Sequence, residues 1–235
     1  MQEKMVGQRF IGNNMRTKFI CLVGIDGSGK STLAENVIAN LRQEGLLVHY
    51  GHIYHQPLLL LPLKWIARKI FLKGKEQFDG NYKNYRTLKL ESSKKHSSLS
   101  KLYGAVWLID YSLQALWGAT FPMLFEQPEY FIADRYIYDA VVNLSLSLGI
   151  SEQKSKELIT LWGKIFPMPS KVFWVDLPEE LAFSRKDDIP SLEYLQERRQ
   201  LYRKFSKEFS FINLDGSKDR QILSKQVERV IINDC

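Results

Sequence analysis

Nine consecutive residues, Gly24-Ile25-Asp26-Gly27-Ser28-Gly29-Lys30-Ser31-Thr32, fit the spacing G-x-x-x-x-G-K-[ST]. Glycines so placed let successive backbone N–H groups turn inward, and a helix beginning at Lys30 adds the positive end of its dipole. Together they make a cradle for phosphate oxygens. Lys30 is placed to reach the β- and γ-phosphates of a nucleotide, the Ser31 hydroxyl to ligate Mg²⁺, and Thr32 to support the turn. Such chemistry calls for a carboxylate at the end of a neighbouring buried strand, holding magnesium through its water shell, and Phe131-Ile132-Ala133-Asp134 supplies one. Arg135 follows directly, with a guanidinium that can grip a phosphate through paired hydrogen bonds.

These residues need a frame, and the hydrophobic pattern provides it. Lys18–Gly24 (KFICLVG) reads as a buried strand, Lys30–Glu44 as a helix closed by Gly45, and Leu46–Tyr50 as a second strand, making one βαβ unit. Glu129–Asp134, Lys171–Leu177 and Phe209–Leu214 are further strand candidates with helical patterns between them. Strands separated by helices rather than by tight turns predict a parallel sheet covered on both faces, a three-layer α/β fold with its sites at the carboxyl ends of the strands.

Composition sets the bounds. With 235 residues, 45% hydrophobic and 25% charged, the chain suits one folded domain with a sizeable core, which excludes disordered, collagen-like and disulfide-scaffold classes. Its two cysteines, Cys21 in an apolar run and Cys235 at the end, suggest neither a staple nor a metal site. Met1–Phe10 lacks the apolar stretch of a signal peptide, so a cytoplasmic location is expected. Leu102–Phe125 is long and apolar but holds Asp110 and Gln114, which favours a buried helix over a membrane span. The net charge of +7 is local: Lys64–Lys101 carries eleven Lys/Arg against three Asp/Glu, an excess of +8, so the rest of the chain sums to −1. No nucleic-acid-reading motif accompanies it, and no nucleic-acid partner is expected. Within it, Leu63, Ile66, Ala67, Ile70 and Phe71 make one apolar helical face, a basic amphipathic helix over 63–73 that packs on the sheet, contacts a membrane surface or clamps an anionic acceptor. Ser92–Ser100 reads as a loop.

The phosphate loop, the Asp134-Arg135-Tyr136 triplet and the run VFWVDLPEELAFSR resemble the thymidylate kinase-like family of P-loop nucleoside monophosphate kinases, from Thr17 to the C-terminus, with Gly51–Ser100 matching poorly. The resemblance implies a three-layer P-loop NTPase fold with a five-stranded parallel sheet, ATP and Mg²⁺ as cofactors, a nucleoside monophosphate as the phosphate acceptor, and a homodimer through helix 102–125. It implies a single kinase domain over 17–235 behind an N-terminal tail (1–16), with an insertion-like basic segment near 57–101 and a lid near 184–192. Carried over by position, it puts Asp26 near the acceptor's sugar and Arg135 on its phosphate, with Tyr136 in the acceptor site and Trp107 stacking on the base. Arg185, with Lys186 beside it, supplies charge from the lid, and the loop at Asp215 and Gly216 holds adenine.

Departures from the pattern lie on the acceptor side. The segment His49–Pro57 contains no arginine where the family has one, Asp110-Tyr111 stands where the long helix would offer another, and Asp139 and Asn143 replace a serine and an aromatic. His49, His52 and His55 cluster without a Cys or carboxylate to complete a metal site. A phosphate acceptor is already an anion and needs no base, whereas a hydroxyl acceptor needs one, for which Asp26 is the first candidate and Asp139 or His52 the others. Two readings stand beside the nucleotide kinase: a kinase of the same fold acting on another metabolite's hydroxyl, and an ATP-binding switch protein without efficient transfer.

Overall fold

The computed structural model describes residues 17–54, 56 and 82–233. The expected N-terminal tail, His55, the basic helix at 63–73 and the 57–81 part of the basic segment lie outside the described residues.

Strand β1 (Lys18–Val23) is followed by helix α1 (Lys30–Gln43) and strand β2 (Val48–His52). Next come α2 (Tyr82–Lys95), α3 (Ser97–Ala115), a π-helical turn (Leu116–Thr120) and α4 (Phe121–Phe125). Strand β3 (Tyr130–Asp134) leads into α5 (Ile137–Leu148) and α6 (Glu152–Trp162). The chain ends with β4 (Lys171–Asp176), α7 (Glu179–Phe183), α8 (Leu192–Glu208), β5 (Ile212–Asp215) and α9 (Arg220–Ile232). The five strands form one parallel sheet in the order β2-β3-β1-β4-β5.

Alternation along β1 divides the core. Ile20 and Leu22 face α1 and α9, meeting Leu33, Val37, Leu41, Leu223 and Val227. Phe19, Cys21 and Val23 face the opposite layer of α3, α5, α6 and α8. Burial on both faces leaves no room for polar residues inside β1, which is why KFICLV reads as a continuous apolar run. Both layers bring loop 24–29 and Asp134 to one edge, because β1 and β3 are parallel and in register from Lys18↔Tyr130 to Leu22↔Asp134.

Boundaries differ where helix ends compete with strands. The Leu46 N–H closes α1 on the Leu41 carbonyl, so β2 begins at Val48, and Gly51 and His52 extend it by pairing with Ala133 and Asp134. Phe209 and Phe211 N–H groups close α8, on Phe205 and Ser206, which delays β5 to Ile212. The expected loop at Ser92–Ser100 is a correction: these residues are helical apart from His96. The hydroxyls of Ser93 and Ser100 are buried and bonded to each other at 3.1 Å, and Ser93 also reaches the Leu148 carbonyl at 3.4 Å. Tertiary packing satisfies the groups that composition assigned to solvent. The expected helix from Leu102 to Phe125 lies within the run Ser97–Phe125, continuous through the π turn. Among the described residues no helix is long and apolar enough to cross a membrane.

Candidate active site

The phosphate loop leaves β1 with Gly24, Gly27 and Gly29 at φ +155°, +80° and +88°. Gly27 has a second reason to be glycine: a Cβ there would lie 2.4 Å from the Ala182 carbonyl oxygen of α7, so the loop rests on that helix's backbone. A Cβ at Gly29 meets open space. Gly29→Ala is therefore expected to cost only the left-handed backbone penalty of about 1–2 kcal/mol. Gly27→Ala adds a steric clash, so its urea midpoint should fall further, and equal midpoints for the two variants would refute the contact. Lys30, 4% exposed, donates from Nζ to the Ile25 carbonyl at 3.3 Å across the loop. Burial, then the nearby Arg135, lowers its pKa. Ser31 is exposed at the mouth of the loop.

Asp134 ends β3 fully buried. Its Oδ2 accepts from the Tyr50 hydroxyl at 3.3 Å and faces His52 Nδ1 at 3.2 Å. Burial and the adjacent carboxylate push the Tyr50 hydroxyl up to about 12, which keeps it a donor. Oδ1 of Asp134 has no hydrogen-bond partner among the described residues. A buried carboxylate oxygen left without a donor costs free energy unless something completes it, and a water of a hydrated Mg²⁺ would do so. Asp134 and Ser31 thus fit a magnesium site on the chemistry of their oxygens. Of the histidines, His49 pairs with Glu126 at 2.6 Å and His52 faces Asp134, and no metal-binding group forms among the described residues.

Arg135 adopts φ +71°, rare for a residue with a side chain, and this backbone turns its guanidinium back over the loop. It donates to Asp26 Oδ1 at 2.5 Å and Asp139 Oδ1 at 3.0 Å, and lies 5.5 Å from the centre of the Tyr54 ring. Asp139, 3% exposed, also accepts from the Tyr202 hydroxyl at 2.5 Å. Burial dominates at Asp139 and raises its pKa in spite of Arg135. At Asp26 burial pushes upward too, but Arg135, Lys30 and Arg198 together override it and hold the carboxyl at about 2. Because the folded-state value lies below the ordinary 3.8, Asp26 stabilises the fold above about pH 4 and loses that contribution as pH falls toward 2. At 1.36 kcal/mol per pKa unit the difference is about 2 kcal/mol. The unfolding free energies of wild type and Asp26→Asn should therefore converge by that amount across this window, and parallel curves would contradict the pairing.

One face of α8 completes the site. Tyr194 donates to Asp26 Oδ2 at 3.3 Å, Arg198 stacks 3.3 Å from the centre of the Tyr194 ring and donates to Asn143 Oδ1 at 3.0 Å, and Tyr202 holds Asp139. On the adjoining face of the helix, next to Arg198, Arg199 donates to Asp176 at 2.6 Å and Glu179 at 2.5 Å, tying α8 to the end of β4 and the start of α7. Sequence reasoning missed Tyr194, Arg198, Arg199 and Tyr202. Their i, i+4, i+8 spacing was the available signal, since it sets Tyr194, Arg198 and Tyr202 on one side of a helix.

The expected residues separate accordingly. Asp26, Lys30, Asp134 and Arg135 come together. Tyr136 is fully buried, and its hydroxyl donates to the Pro167 carbonyl at 3.1 Å. Trp107, 5% exposed, stacks on Tyr111 at 5.4 Å and belongs to the core cluster. Arg185 is exposed beyond α7. Asp215 accepts from Ser217 N–H at 3.1 Å, and the Gly216 N–H bonds the Asp176 carbonyl at 2.8 Å, a fixed turn after β5.

No protein-family model matches the chain. It is 34% identical over 105 residues to a probable thymidylate kinase 1 of Saccharolobus solfataricus, an alignment covering 43% of this chain and 53% of that protein, so it spans about half of that relative's length. It is 26% identical over 218 residues to a probable thymidylate kinase of Sulfurisphaera tokodaii, covering 90% of this chain and 94% of that one. In the phosphate loop, the Asp134-Arg135-Tyr136 triplet and these two alignments the chain is similar to proteins named probable thymidylate kinase.

Proposed function

We propose that the chain is a Mg²⁺- and ATP-dependent phosphotransferase that passes the γ-phosphoryl group of ATP to a nucleoside monophosphate, thymidylate or a related nucleotide. The state of Asp26 carries this reading. A general base works best with a pKa near the operating pH, and a carboxylate held at about 2 by Arg135 and bonded by Tyr194 is a poor one. Asp139 is buried and occupied by Arg135 and Tyr202. With its first candidate base so weakened, the site suits an acceptor that is already an anion, and a phosphate monoester is one near neutral pH.

In this reading Lys30 and the loop N–H groups neutralise the transferring phosphoryl group, while Ser31 and Asp134 hold magnesium, which supplies charge neutralisation between the phosphates. Residues 184–192 act as a lid that brings Arg185 inward, and Asp215 and Gly216 border the adenine. Residues 17–235 act as one kinase domain. Leu102, Ile109, Leu113 and Trp117, at least half exposed on one side of the long helix, make an apolar face suited to a second copy of the chain. Trp117→Glu is expected to convert a dimer into a monomer by light scattering, and an unchanged mass would remove that interface.

The deciding experiment is ADP release from MgATP with a panel of nucleoside monophosphates, thymidylate included, and with Lys30→Ala protein as the blank. Strong stimulation by a nucleotide is expected. No stimulation by any of them, with ATP still bound, would move the function to a hydroxyl-acceptor kinase or a switch.

A further inference from the structure

Arg135, the cation expected to meet the acceptor phosphate, is already matched. It lies between Asp26 and Asp139, and Asp26 is ionised at any physiological pH. Lys30 belongs to the loop, and Arg185 lies exposed in the lid segment. A phosphate monoester brings nearly two negative charges to this side of the site, and binding it beside the Asp26 carboxylate requires a further positive group.

Arg198 has the properties required. Its partners among the described residues are neutral: the Tyr194 carbonyl at 3.2 Å from Nη1, the Asn143 side-chain oxygen at 3.0 Å from Nη2, and the Tyr194 ring at 3.3 Å. None of the ion pairs among the described residues uses it, unlike its neighbour Arg199, which holds Asp176 and Glu179. A guanidinium has five N–H donors, and these two bonds leave donors for a ligand. Its position is anchored at both ends. The Tyr194 hydroxyl is fixed on Asp26, and Asn143 stands one turn beyond Asp139 on α5, so the stacked plane is held next to the Asp26–Arg135 pair. Its charge is close enough to help keep Asp26 ionised. Holding a cation rigid with neutral partners keeps its full charge for an incoming anion, which is preorganisation in electrostatic form.

We infer that Arg198, oriented by Asn143 and stacked on Tyr194, binds the phosphate of the acceptor and sets the preference for a phosphorylated over an unphosphorylated nucleoside. This rests on the nucleotide-kinase reading above and assigns to α8 a specificity for which the family pattern uses arginines of the β2 loop and the long helix that this chain lacks.

The test compares binding of thymidylate and thymidine by titration calorimetry, and steady-state transfer to thymidylate, in wild type, Arg198→Ala, Arg198→Lys and Asn143→Ala, with thermal unfolding as the check on folding. Wild type is expected to prefer thymidylate over thymidine by at least tenfold. Arg198→Ala should lose about tenfold or more of that preference, with a matching rise in the acceptor KM and an unchanged KM for ATP. Arg198→Lys should recover part of it, because lysine restores the charge without the planar fork, and Asn143→Ala should lose an intermediate share. If Arg198→Ala does not fold, the lysine and Asn143 variants carry the comparison. Full preference retained in Arg198→Ala, or in both substitutes, while wild type still phosphorylates thymidylate would overturn the inference and leave the kinase reading intact. A rise in the KM for ATP with the preference intact would likewise overturn it, placing Arg198 on the donor side. A wild type that transfers to no nucleoside monophosphate removes both.

Discussion

Replacing Lys30 by alanine is expected to lower kcat by 10²–10³, about 3–4 kcal/mol of transition-state stabilisation if the loss of one preorganised charged donor is the guide. The same variant should fold at least as well as wild type. Lys30 is 4% exposed, its Nζ meets a backbone carbonyl, and burial lowers its pKa. A lysine whose folded-state pKa lies below its unfolded value opposes folding fully below the folded-state value, and the penalty fades as pH rises through that value and is gone above the unfolded one. At neutral pH the substitution therefore removes a cost. Activity and stability should move in opposite directions, read by coupled ADP release and by thermal unfolding. Undiminished turnover would refute the phosphate-loop assignment. A large loss of stability would show that the lysine is held by more than the Ile25 carbonyl.

Arg135→Ala should fail in the other way, losing both. Its side chain is 14% exposed and pairs with carboxylates that are 20% and 4% exposed, so its removal takes from Asp26 and Asp139 the one cation hydrogen-bonded to both. Deleting one partner of such a buried arrangement costs about 3–5 kcal/mol. For a chain of this size, at about 2–4 °C per kcal/mol, the midpoint should drop by roughly 6–20 °C. Asp139 already has a raised pKa, so adding Asp139→Asn to Arg135→Ala should restore a good part of that loss. A midpoint within a degree of wild type would mean that solvent or another cation reaches these carboxylates.

The parts of the fold that were legible in the sequence are those governed by neighbours along the chain. KFICLV has no polar interruption because β1 is covered on both faces, Gly45 stops α1 with its left-handed turn, and Asp134 is conspicuous as a carboxylate closing an apolar strand. The donor half of the site sits within one strand-loop-helix unit and could be read in the same way. What escaped depends on residues distant in sequence. Asp26, Arg135, Asp139, Tyr194 and Tyr202 form one hydrogen-bonded cluster drawn from four separate segments, and no local pattern records that. Trp107 and Tyr136 lie among the large rings packed between α3, α5, α6 and β1, contacts that likewise join segments distant in sequence. Ser92–Ser100 was misread because polar composition says nothing about whether hydroxyls find partners inside.

The order of the strands governs how the chain must be made. β1 and β2, the first two strands, do not pair with each other: both pair with β3, and β1 also pairs with β4, which in turn pairs with β5. Among the described residues, then, the strands of the first half have no partner until β3 is made. Such a topology folds slowly, because long loops must close before any contact repays the lost entropy. During synthesis, at roughly 5–20 residues per second, the apolar β1 segment waits several seconds for Tyr130–Asp134 to leave the ribosome. Until β3 arrives, the strand that will lie at the centre of the sheet is an uncovered edge, and protecting it in that interval falls to α1 and to whatever holds nascent chains.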